Sequence, residues 1–261
     1  MASFKHYQPT AFYANNGQPG LEGKVATHHC LVAELVERFD RPVVLELGTA
    51  KGLSTCLLLS ACERRSGRMV SVDIQDYADV AQSPAWQFVQ ADDARVEDVL
   101  AQAPHLREGI DLVHVDSCHT YEHVTRQLMG WYPYVKAGGC LTFHDVDPAA
   151  CGPTGFKPSP STYQDLQGVA RAVKDFFRAN EDELFLTIHY GATGMAVMHK
   201  LSALGTEPRP PAQRTKYVPR VGVRRACGLL ARAVANCARD RVHTWTGRTD
   251  WRDRYDVDAA D

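Results

Sequence analysis

The stretch Pro42-Val43-Val44-Leu45-Glu46-Leu47-Gly48-Thr49-Ala50-Lys51-Gly52 decides the fold of this chain. Its first half is a short, nearly continuous apolar run, which is typical of a strand buried on both faces of a parallel sheet. Gly48 and Gly52 then allow a sharp turn, and the apolar segment Leu53–Glu63 follows with a helical pattern. The sequence therefore predicts a strand, a tight turn whose backbone amides can approach a ligand closely, and a helix.

The same alternation of strand and helix continues through most of the chain. Further strands are predicted at Met69–Ile74, Trp86–Gln90, Ile110–Asp116 and Gly139–Asp145, and a hairpin at Glu183–Tyr190 and Gly194–Lys200. Helices are predicted at Lys24–Phe39, Val96–Ala103, Tyr121–Tyr134 and Tyr163–Ala179. We therefore expect an α/β fold with a Rossmann-like seven-stranded sheet that is mostly parallel and finishes with an antiparallel hairpin strand.

Composition divides the chain into three regions. Residues 1–40 form an N-terminal arm and a helix, and residues 41–200 form the central domain. The arm, residues 1–23, is rich in Asn, Gln, Gly and Pro and is expected to be irregular. Residues 201–261 hold a Pro-rich linker at Glu207–Pro211 and an Arg-dotted helical segment near Arg220–Arg241. We expect this last region to be an appendage that acts as a lid or as the contact of a homodimer.

Bulk properties narrow the class of partner. The formal net charge is -2, so no global positive field attracts nucleic acid or an anionic membrane, and a small molecule is the expected partner. No apolar run approaches the roughly 20 residues of a membrane span, and the N-terminus lacks a signal peptide, so a cytoplasmic location is expected. The eight cysteines contain no C-x-x-C pair and are expected to be reduced.

Acidic residues follow the second and third predicted strands. Asp73 lies 25 residues beyond Gly48, where its carboxylate can accept both hydrogen bonds of a ribose diol. Asp92 and Asp93 are placed to meet an adenine amino group. In open α/β sheets, ligands bind outside the carboxyl ends of the strands, so these residues and the glycine turn predict one nucleoside site. The spacing G-x-x-x-G, rather than G-x-G-x-x-G, disfavours a dinucleotide.

The strings ELGTAKG, VSVDIQ, QADDA, IDLVHVD and AGGCLTFHD, within about Lys24–Lys200, resemble those of class I S-adenosylmethionine-dependent methyltransferases. Sheets of that family also finish with a β-hairpin. The resemblance implies that S-adenosylmethionine is the cofactor, that the glycine turn faces its methionine part, and that residues 41–200 are the catalytic domain. The cofactor contacts expected on this basis are Glu46, Gly48, Thr49, Ala50, Gly52, Ser54, Asp73, Asp92, Asp93 and Asp116.

A polar cluster is predicted at the ends of the fourth and fifth strands, where Asp116, His119, His144 and Asp145 should converge. Methyl transfer to a hydroxyl needs either a base or a cation that favours the alkoxide. Carboxylate oxygens of Asp116 and Asp145 suit Mg²⁺. The nitrogen of His144 is a poorer Mg²⁺ ligand, so His144 is interpreted either as a ligand that tolerates Mn²⁺ better or as a base.

These stretches further resemble the methyltransferase subfamily that contains macrolide- and aminocoumarin-sugar O-methyltransferases and cephalosporin-hydroxylase-like proteins. The resemblance implies a divalent metal, most simply Mg²⁺, on Asp116, His144 and Asp145, with His119 as the base. It departs from the pattern at His144, where the subfamily has an acid. The predicted activity is O-methylation of a sugar or glycoside hydroxyl, with aromatic rings available for stacking on the sugar at Trp131, Tyr163, Trp245 and Trp251.

Other interpretations stay open at this stage. The acceptor can instead be a phenol or a polyketide, and His144 in place of an acid is also compatible with a nucleoside-binding module without turnover. An NAD-linked oxidoreductase is a more distant alternative. Taken singly, Asp116 can be a helix cap, and His119 and His123 can be exposed residues on a first helical turn. His28, His29 and His105 are interpreted as ordinary structural histidines.

Overall fold

A seven-stranded sheet organises the part of the chain that the structure describes. The structure is a computed structural model, and it describes residues 2–9, 21–147, 160–190 and 193–212. Its strands are β1 (Ser3–Phe4), β2 (Val43–Leu47), β3 (Arg68–Asp73), β4 (Ala81–Gln82), β5 (Trp86–Gln90), β6 (Ile110–Val115), β7 (Val135–His144), β8 (Leu184–His189) and β9 (Met195–Lys200). Its α-helices are α1 (Leu21–Val36), α2 (Leu53–Arg64), α3 (Val96–Gln102), α4 (Tyr121–Trp131) and α5 (Pro160–Ala179).

The strand order of the large sheet is β5-β3-β2-β6-β7-β9-β8. The first five of these strands are parallel to one another, whereas β9 runs antiparallel to β7 and β8 antiparallel to β9. The predicted fold class is therefore confirmed. From β2 the chain continues to β3 and β5 on one side of the sheet and then returns to β6 and β7 on the other side. Ligands of open α/β sheets bind in the crevice at such a switch point, which here lies at the carboxyl ends of β2 and β6.

Both faces of the sheet are covered by helices. Every residue of β2 and of β6 is buried, as expected for strands packed on both sides. Leu45 and Val113 pack in a core with α3, α4 and α5, whereas Val44 and Leu112 pack in a second core with α1 and α2. The described cysteines are free thiols, and all of them except Cys118 are buried.

The N-terminal region contains more regular structure than its composition predicts. Ser3 and Phe4 pair antiparallel with Gln82 and Ala81, which forms a separate two-stranded sheet. Helix α1 begins at Leu21, inside the segment expected to be irregular. A strand of two residues depends on a distant partner, so local composition carries no signal for it.

Residues 201–209, expected to belong to the appendage, make hydrogen bonds to the central domain. The amide of Leu201 donates to the carbonyl of Glu183 at 2.9 Å, and the amide of Arg209 donates to Asn180 Oδ1 at 2.7 Å. The remaining appendage, residues 213–261, lies outside the described residues, as do the predicted contact at Arg220–Arg241 and the two tryptophans Trp245 and Trp251. Among the described residues no helix has both the length and the hydropathy to cross a bilayer.

A buried carboxyl group joins β2 to α2 on either side of the glycine turn. Glu46 is wholly buried, and the hydroxyls of Ser54 and Thr55 donate to its two carboxyl oxygens at 2.6 and 2.7 Å. Burial raises the pKa of Glu46 to about 7, because a charged carboxylate loses its hydration there. These two hydrogen bonds fix the first turn of α2 against the strand and therefore fix the shape of the turn between them.

The pKa of Glu46 predicts a pH-dependent stability. Between its ordinary value of 4.5 and about 7, the unfolded chain releases the Glu46 proton while the folded chain keeps it, so stability falls as pH rises through this window. We expect the wild type to lose about 3 kcal/mol of unfolding free energy relative to Glu46→Gln across it. Urea unfolding of both proteins at several pH values measures the difference.

Glu63→Gln is the matched control, because hydrogen bonds from Ser83 and from the amide of Ala2 outweigh partial burial and lower the pKa of Glu63. Its difference from the wild type should therefore have the opposite sign, with the wild type gaining stability as pH rises. If the difference in unfolding free energy between the wild type and Glu46→Gln stays constant with pH, the assignment of a buried, protonated Glu46 is contradicted.

Candidate active site

The glycine turn lies directly against the end of β6. Gly48 has a φ of 98°, and a Cβ at this position would overlap the backbone carbonyl oxygen of Asp116. The amide of Asp116 donates to the carbonyl of Leu47 at 2.9 Å, which holds the two strand ends together. Only glycine combines this φ with this closeness. The turn therefore brings its backbone next to the first residue of the predicted reaction centre.

Asp73, at the end of β3, is held by the turn itself. The amides of Thr49 and Ala50 donate to Asp73 Oδ2 at 3.0 and 3.1 Å, and the amide of Gln75 donates to Oδ1 at 3.0 Å. Each carboxylate oxygen accepts about two hydrogen bonds, so Oδ1 keeps accepting capacity for a ligand. The carboxylate is thus fixed in orientation before any ligand binds.

A cavity of about 510 Å³ runs along these strand ends. Of the predicted cofactor contacts, it is lined by Gly48, Ala50, Asp73, Asp92, Asp93 and Asp116. The other lining residues were not predicted as cofactor contacts, and His123 was interpreted as exposed; they are Ile74, Gln75, Tyr77, Ala91, Ser117, Cys118 and His123. Ile74 is 72% exposed, which is unusual for a large apolar side chain and identifies an apolar wall of the cavity.

Four predicted cofactor contacts do not line the cavity. Glu46 and Ser54 are buried and bonded to each other behind the turn. Thr49 is 2% exposed, and its backbone amide points to Asp73 rather than into the cavity. Gly52 precedes the first turn of α2 with a φ of 80°. These four residues shape the wall of the cavity, which residue type and spacing alone do not distinguish from contact with a ligand.

His123 and Trp131 both hold Asp93 in place. His123 Nε2 lies 2.6 Å from Asp93 Oδ1, and the indole Nε1 of Trp131 donates to the carbonyl of Asp93 at 2.8 Å. Trp131 is fully buried, so the prediction that its ring stacks on a sugar is wrong. The apolar pattern of α4 turns that ring into the core, where its indole finds a backbone acceptor. The side chain of Tyr163 lies outside the described part of the structure.

The four residues of the predicted reaction centre are brought together, and Asp116 is the member that lines the cavity. His119 Nε2 lies 3.4 Å from Asp116 Oδ1 and 3.5 Å from Asp145 Oδ2. His144 Nδ1 lies 3.5 Å from Asp116 Oδ1 and 3.0 Å from Asp145 Oδ1. Asp145 has a φ of 61°, an uncommon conformation outside glycine that tends to be kept at functional positions.

The charges in this cluster stabilise one another. Burial alone would lower the pKa of His144, but the carboxylates of Asp116 and Asp145 raise it to about 10. Burial alone would raise the pKa of Asp116, and His144 instead holds it well below its usual range. Burial lowers the pKa of His119, and Asp116 more than offsets this, so that the pKa is raised. His144 and the carboxylates of Asp116 and Asp145 therefore form a partly buried network of opposite charges.

Three histidines that the sequence analysis set aside or passed over lie in this same cluster. The rings of His28 and His29, on α1, lie 5.9 and 5.0 Å from the ring of His144. His114, on β6, lies 5.6 Å from His29. Burial lowers the pKa of His28 to about 4 and that of His114 to about 3, so both rings are neutral. Interpreting His28 and His29 as ordinary structural histidines missed their contact with the site.

Comparison with known proteins agrees with this geometry. Residues 45–146 match the family model described as a methyltransferase domain. The match spans less than half of the chain. The fold is that of solved methyltransferase structures.

Among solved structures, MycE methyltransferase from the mycinamycin biosynthetic pathway, in complex with Mg and SAH, matches with a TM-score of 0.52 at 20% identity. The match covers 82% of this chain and 58% of that one, so this chain spans just over half the length of its relative. A second MycE structure holds Mg, SAH and mycinamycin VI, with a TM-score of 0.51 at 19% identity, covering 82% of this chain and 58% of that chain. Cofactor-bound Rv0187 from MTB matches with a TM-score of 0.50 at 19% identity, over 74% of this chain and 89% of that one.

Gly48→Ala tests whether the close approach of the turn to β6 builds the cavity. An alanine at this left-handed φ is destabilised by about 1–2 kcal/mol. Its Cβ also overlaps the backbone of Asp116, which adds roughly 1–3 kcal/mol. Gly138→Ala is the matched control, because Gly138 has a φ of 79° and nothing within 4 Å of the added Cβ. We expect only Gly48→Ala to lose binding of S-adenosylhomocysteine by calorimetry. Equal affinities in the two variants would show that this contact does not shape the site.

Proposed function

We propose that this protein is an S-adenosylmethionine-dependent O-methyltransferase that methylates a hydroxyl of a sugar or glycoside. The observation that carries the proposal is the convergence of His119, His144 and Asp145 on Asp116, which itself lines one end of a cavity. The other end of that cavity is lined by the acidic residues expected of a nucleoside site. A donor and an acceptor bound in these two places lie side by side, as group transfer requires.

The cavity wall offers matching groups for each part of the cofactor. Asp73 presents a fixed carboxylate for the ribose hydroxyls, and Asp92 and Asp93 present acceptors for an adenine amino group. The exposed side chain of Ile74 supplies an apolar surface for the purine face. The carboxylate of Asp116, which lines the cavity, favours binding of the positively charged sulfonium.

His119 is the base in this proposal. Its ring is 25% exposed, whereas the ring of His144 is 6% exposed, with Nδ1 beside two carboxylates and Nε2 3.3 Å from Thr193 Oγ1. Asp116 and Asp145 orient His119 through Nε2, as a carboxylate orients the imidazole in other acid–base pairs. The acceptor hydroxyl gives its proton to His119, its oxygen bonds to the methyl carbon, and the electrons of the broken S–C bond return to sulfur.

The same residues fit a divalent cation. Ligand atoms of Asp116, His144 and Asp145 all lie within 4.8 Å of one another. Two carboxylates suit Mg²⁺, and the imidazole of His144 is better suited to Mn²⁺. Such an ion would bind neighbouring hydroxyl oxygens and lower the pKa of the one to be methylated. A sugar has hydroxyl oxygens on neighbouring carbons, so two of them can bind one cation. This supports a sugar as the acceptor over a molecule with a single isolated hydroxyl.

His119→Asn tests the assignment of the base. We expect kcat to fall by about 10²–10⁴, the usual contribution of a general base, while the Kd for S-adenosylhomocysteine measured by calorimetry stays the same. His105→Asn, on the 3-10 helix Pro104–Glu108, is the control and should leave both quantities unchanged. Parallel losses of affinity and rate in His119→Asn would argue that His119 supports the structure of the cavity instead.

Ile74→Ala tests the apolar wall. Removing about 2 kcal/mol of side-chain burial against the cofactor should weaken S-adenosylhomocysteine binding by about 10- to 30-fold. Leu201→Ala is the matched control, since Leu201 is also a highly exposed aliphatic side chain, at 61%, and does not line the cavity. Calorimetric titration of the three proteins measures the effect, and an unchanged affinity in Ile74→Ala would place the purine elsewhere.

The acceptor is tested with a panel of glycosides, phenols and polyketides, using the full chain with Mg²⁺, with Mn²⁺ and with a chelator. Methylation of glycosides that is lost with chelator supports the proposal. Methylation confined to phenols would replace the sugar by the second candidate acceptor class. Tight binding of S-adenosylmethionine with no product under any metal would instead identify a nucleoside-binding module, and no binding of the cofactor would end the proposal altogether.

A further inference from the structure

Two buried imidazoles and a carboxylate lie together on the α1 side of the reaction centre. They are His29 on α1, His114 on β6 and Asp116 just beyond β6. One nitrogen or oxygen from each lies within 4.8 Å of the other two. His29 Nε2 lies 3.7 Å from Asp116 Oδ2, whereas His119 and His144 face the other oxygen, Oδ1. Asp116 thus offers a separate oxygen atom to this group of residues.

The hydrogen bonds of His114 define which of its nitrogens is free. Thr142 Oγ1 donates to the carbonyl of Val113 at 3.3 Å and lies 2.9 Å from His114 Nδ1. With its single proton donated to Val113, the hydroxyl accepts from Nδ1–H of His114, and this is the tautomer that the proposed site requires. His114 Nε2 then carries a lone pair and no proton, and it has no hydrogen-bond partner within the described residues. An imidazole held through one nitrogen with the other nitrogen free is the usual state of a metal ligand.

His29 has more unsatisfied hydrogen-bonding groups than His114. Its side chain is 2% exposed, and neither ring nitrogen has a hydrogen-bond partner in the described part of the chain. Each buried, unsatisfied nitrogen costs about 1–3 kcal/mol. A structural histidine in a core normally satisfies at least one nitrogen, so a ring with two unsatisfied nitrogens beside a carboxylate indicates a ligand that completes the site.

We propose that His29, His114 and Asp116 form a binding site for a borderline divalent cation such as Zn²⁺ or Co²⁺, separate from the Asp116, His144 and Asp145 set. Two imidazole nitrogens and one carboxylate oxygen are a donor set that prefers these ions to Mg²⁺. With bonds of 2.0–2.1 Å, tetrahedral ligands lie about 3.3 Å apart. The 3.7 Å between His29 and Asp116 must close by about 0.4 Å, and the other ligand pairs, which lie within 4.8 Å, by up to about 1.5 Å. The fourth position is left for a water molecule or another ligand.

The proposed site does not depend on methyl transfer. Its two imidazoles come from α1 and β6, and His29 faces Oδ2 of Asp116 whereas His119 faces Oδ1. A failed metal test leaves cofactor binding and methylation untouched, and a failed methylation test leaves the metal affinity untouched. The two proposals are therefore distinguishable by experiment.

The test uses the full chain, freed of metal by a chelator and titrated with Co²⁺, whose visible absorption reports nitrogen ligation. Asp145→Asn is the background, because it disables the Asp116, His144 and Asp145 set. We expect this protein to bind one Co²⁺, which Zn²⁺ displaces and an equal concentration of Mg²⁺ does not. Adding His29→Gln or His114→Asn should weaken Co²⁺ binding on the order of 100-fold or more, and adding Thr142→Val about 10- to 100-fold.

His105→Asn in the same background is the control and should bind Co²⁺ as before. Circular dichroism checks that each variant folds, and His29→Gln decides the question if the buried His114→Asn does not. A Co²⁺ spectrum unchanged by His29→Gln, or displaced by Mg²⁺ at equal concentration, overturns the proposal. So does the absence of Co²⁺ binding in the Asp145→Asn background.

Discussion

The contact between the glycine turn and the end of β6 is the constraint on which the site depends. Because Gly48 has no side chain, the turn lies against the backbone of Asp116, and the proposed nucleoside end of the cavity meets the proposed reaction centre without an intervening layer of atoms. The amides of the same turn fix Asp73. One backbone conformation thus sets the positions of both carboxylates, which explains why the local sequence around Gly48 carries so much of the prediction.

The fold was predictable because its decisive signals are local. Apolar runs such as Val43–Leu47 and Ile110–Val115 are buried on both faces, so burial and sequence pattern coincide. The pairing of Ser3 and Phe4 with Gln82 and Ala81 was missed because it joins segments nearly eighty residues apart. The same holds for residues 201–209, whose attachment to Glu183 and Asn180 depends on side chains and carbonyls that only the folded chain brings near.

The site was predictable where its residues follow a strand, and missed where they do not. Asp73, Asp116 and Asp145 come directly at or after strand ends, so the parallel sheet brings them to one edge. His29 reaches the cluster from α1, whose packing angle no sequence pattern records. Trp131 was predicted to stack on a ligand and is instead buried in the core. Residue type alone does not distinguish an aromatic ring that is free to stack from one that fills the core.

Asp116 is the point at which the separate parts of the site meet. Its backbone lies against Gly48, Oδ1 faces His119 and His144, and Oδ2 faces His29. A single carboxylate with contacts on both oxygens has little freedom to rotate, so any cation or proton on one side changes the charge felt on the other. Carboxylate and imidazole groups packed this closely in a buried site interact strongly, because water does not screen them. The charge around Asp116 is therefore set by residues on α1, β6 and β7 together.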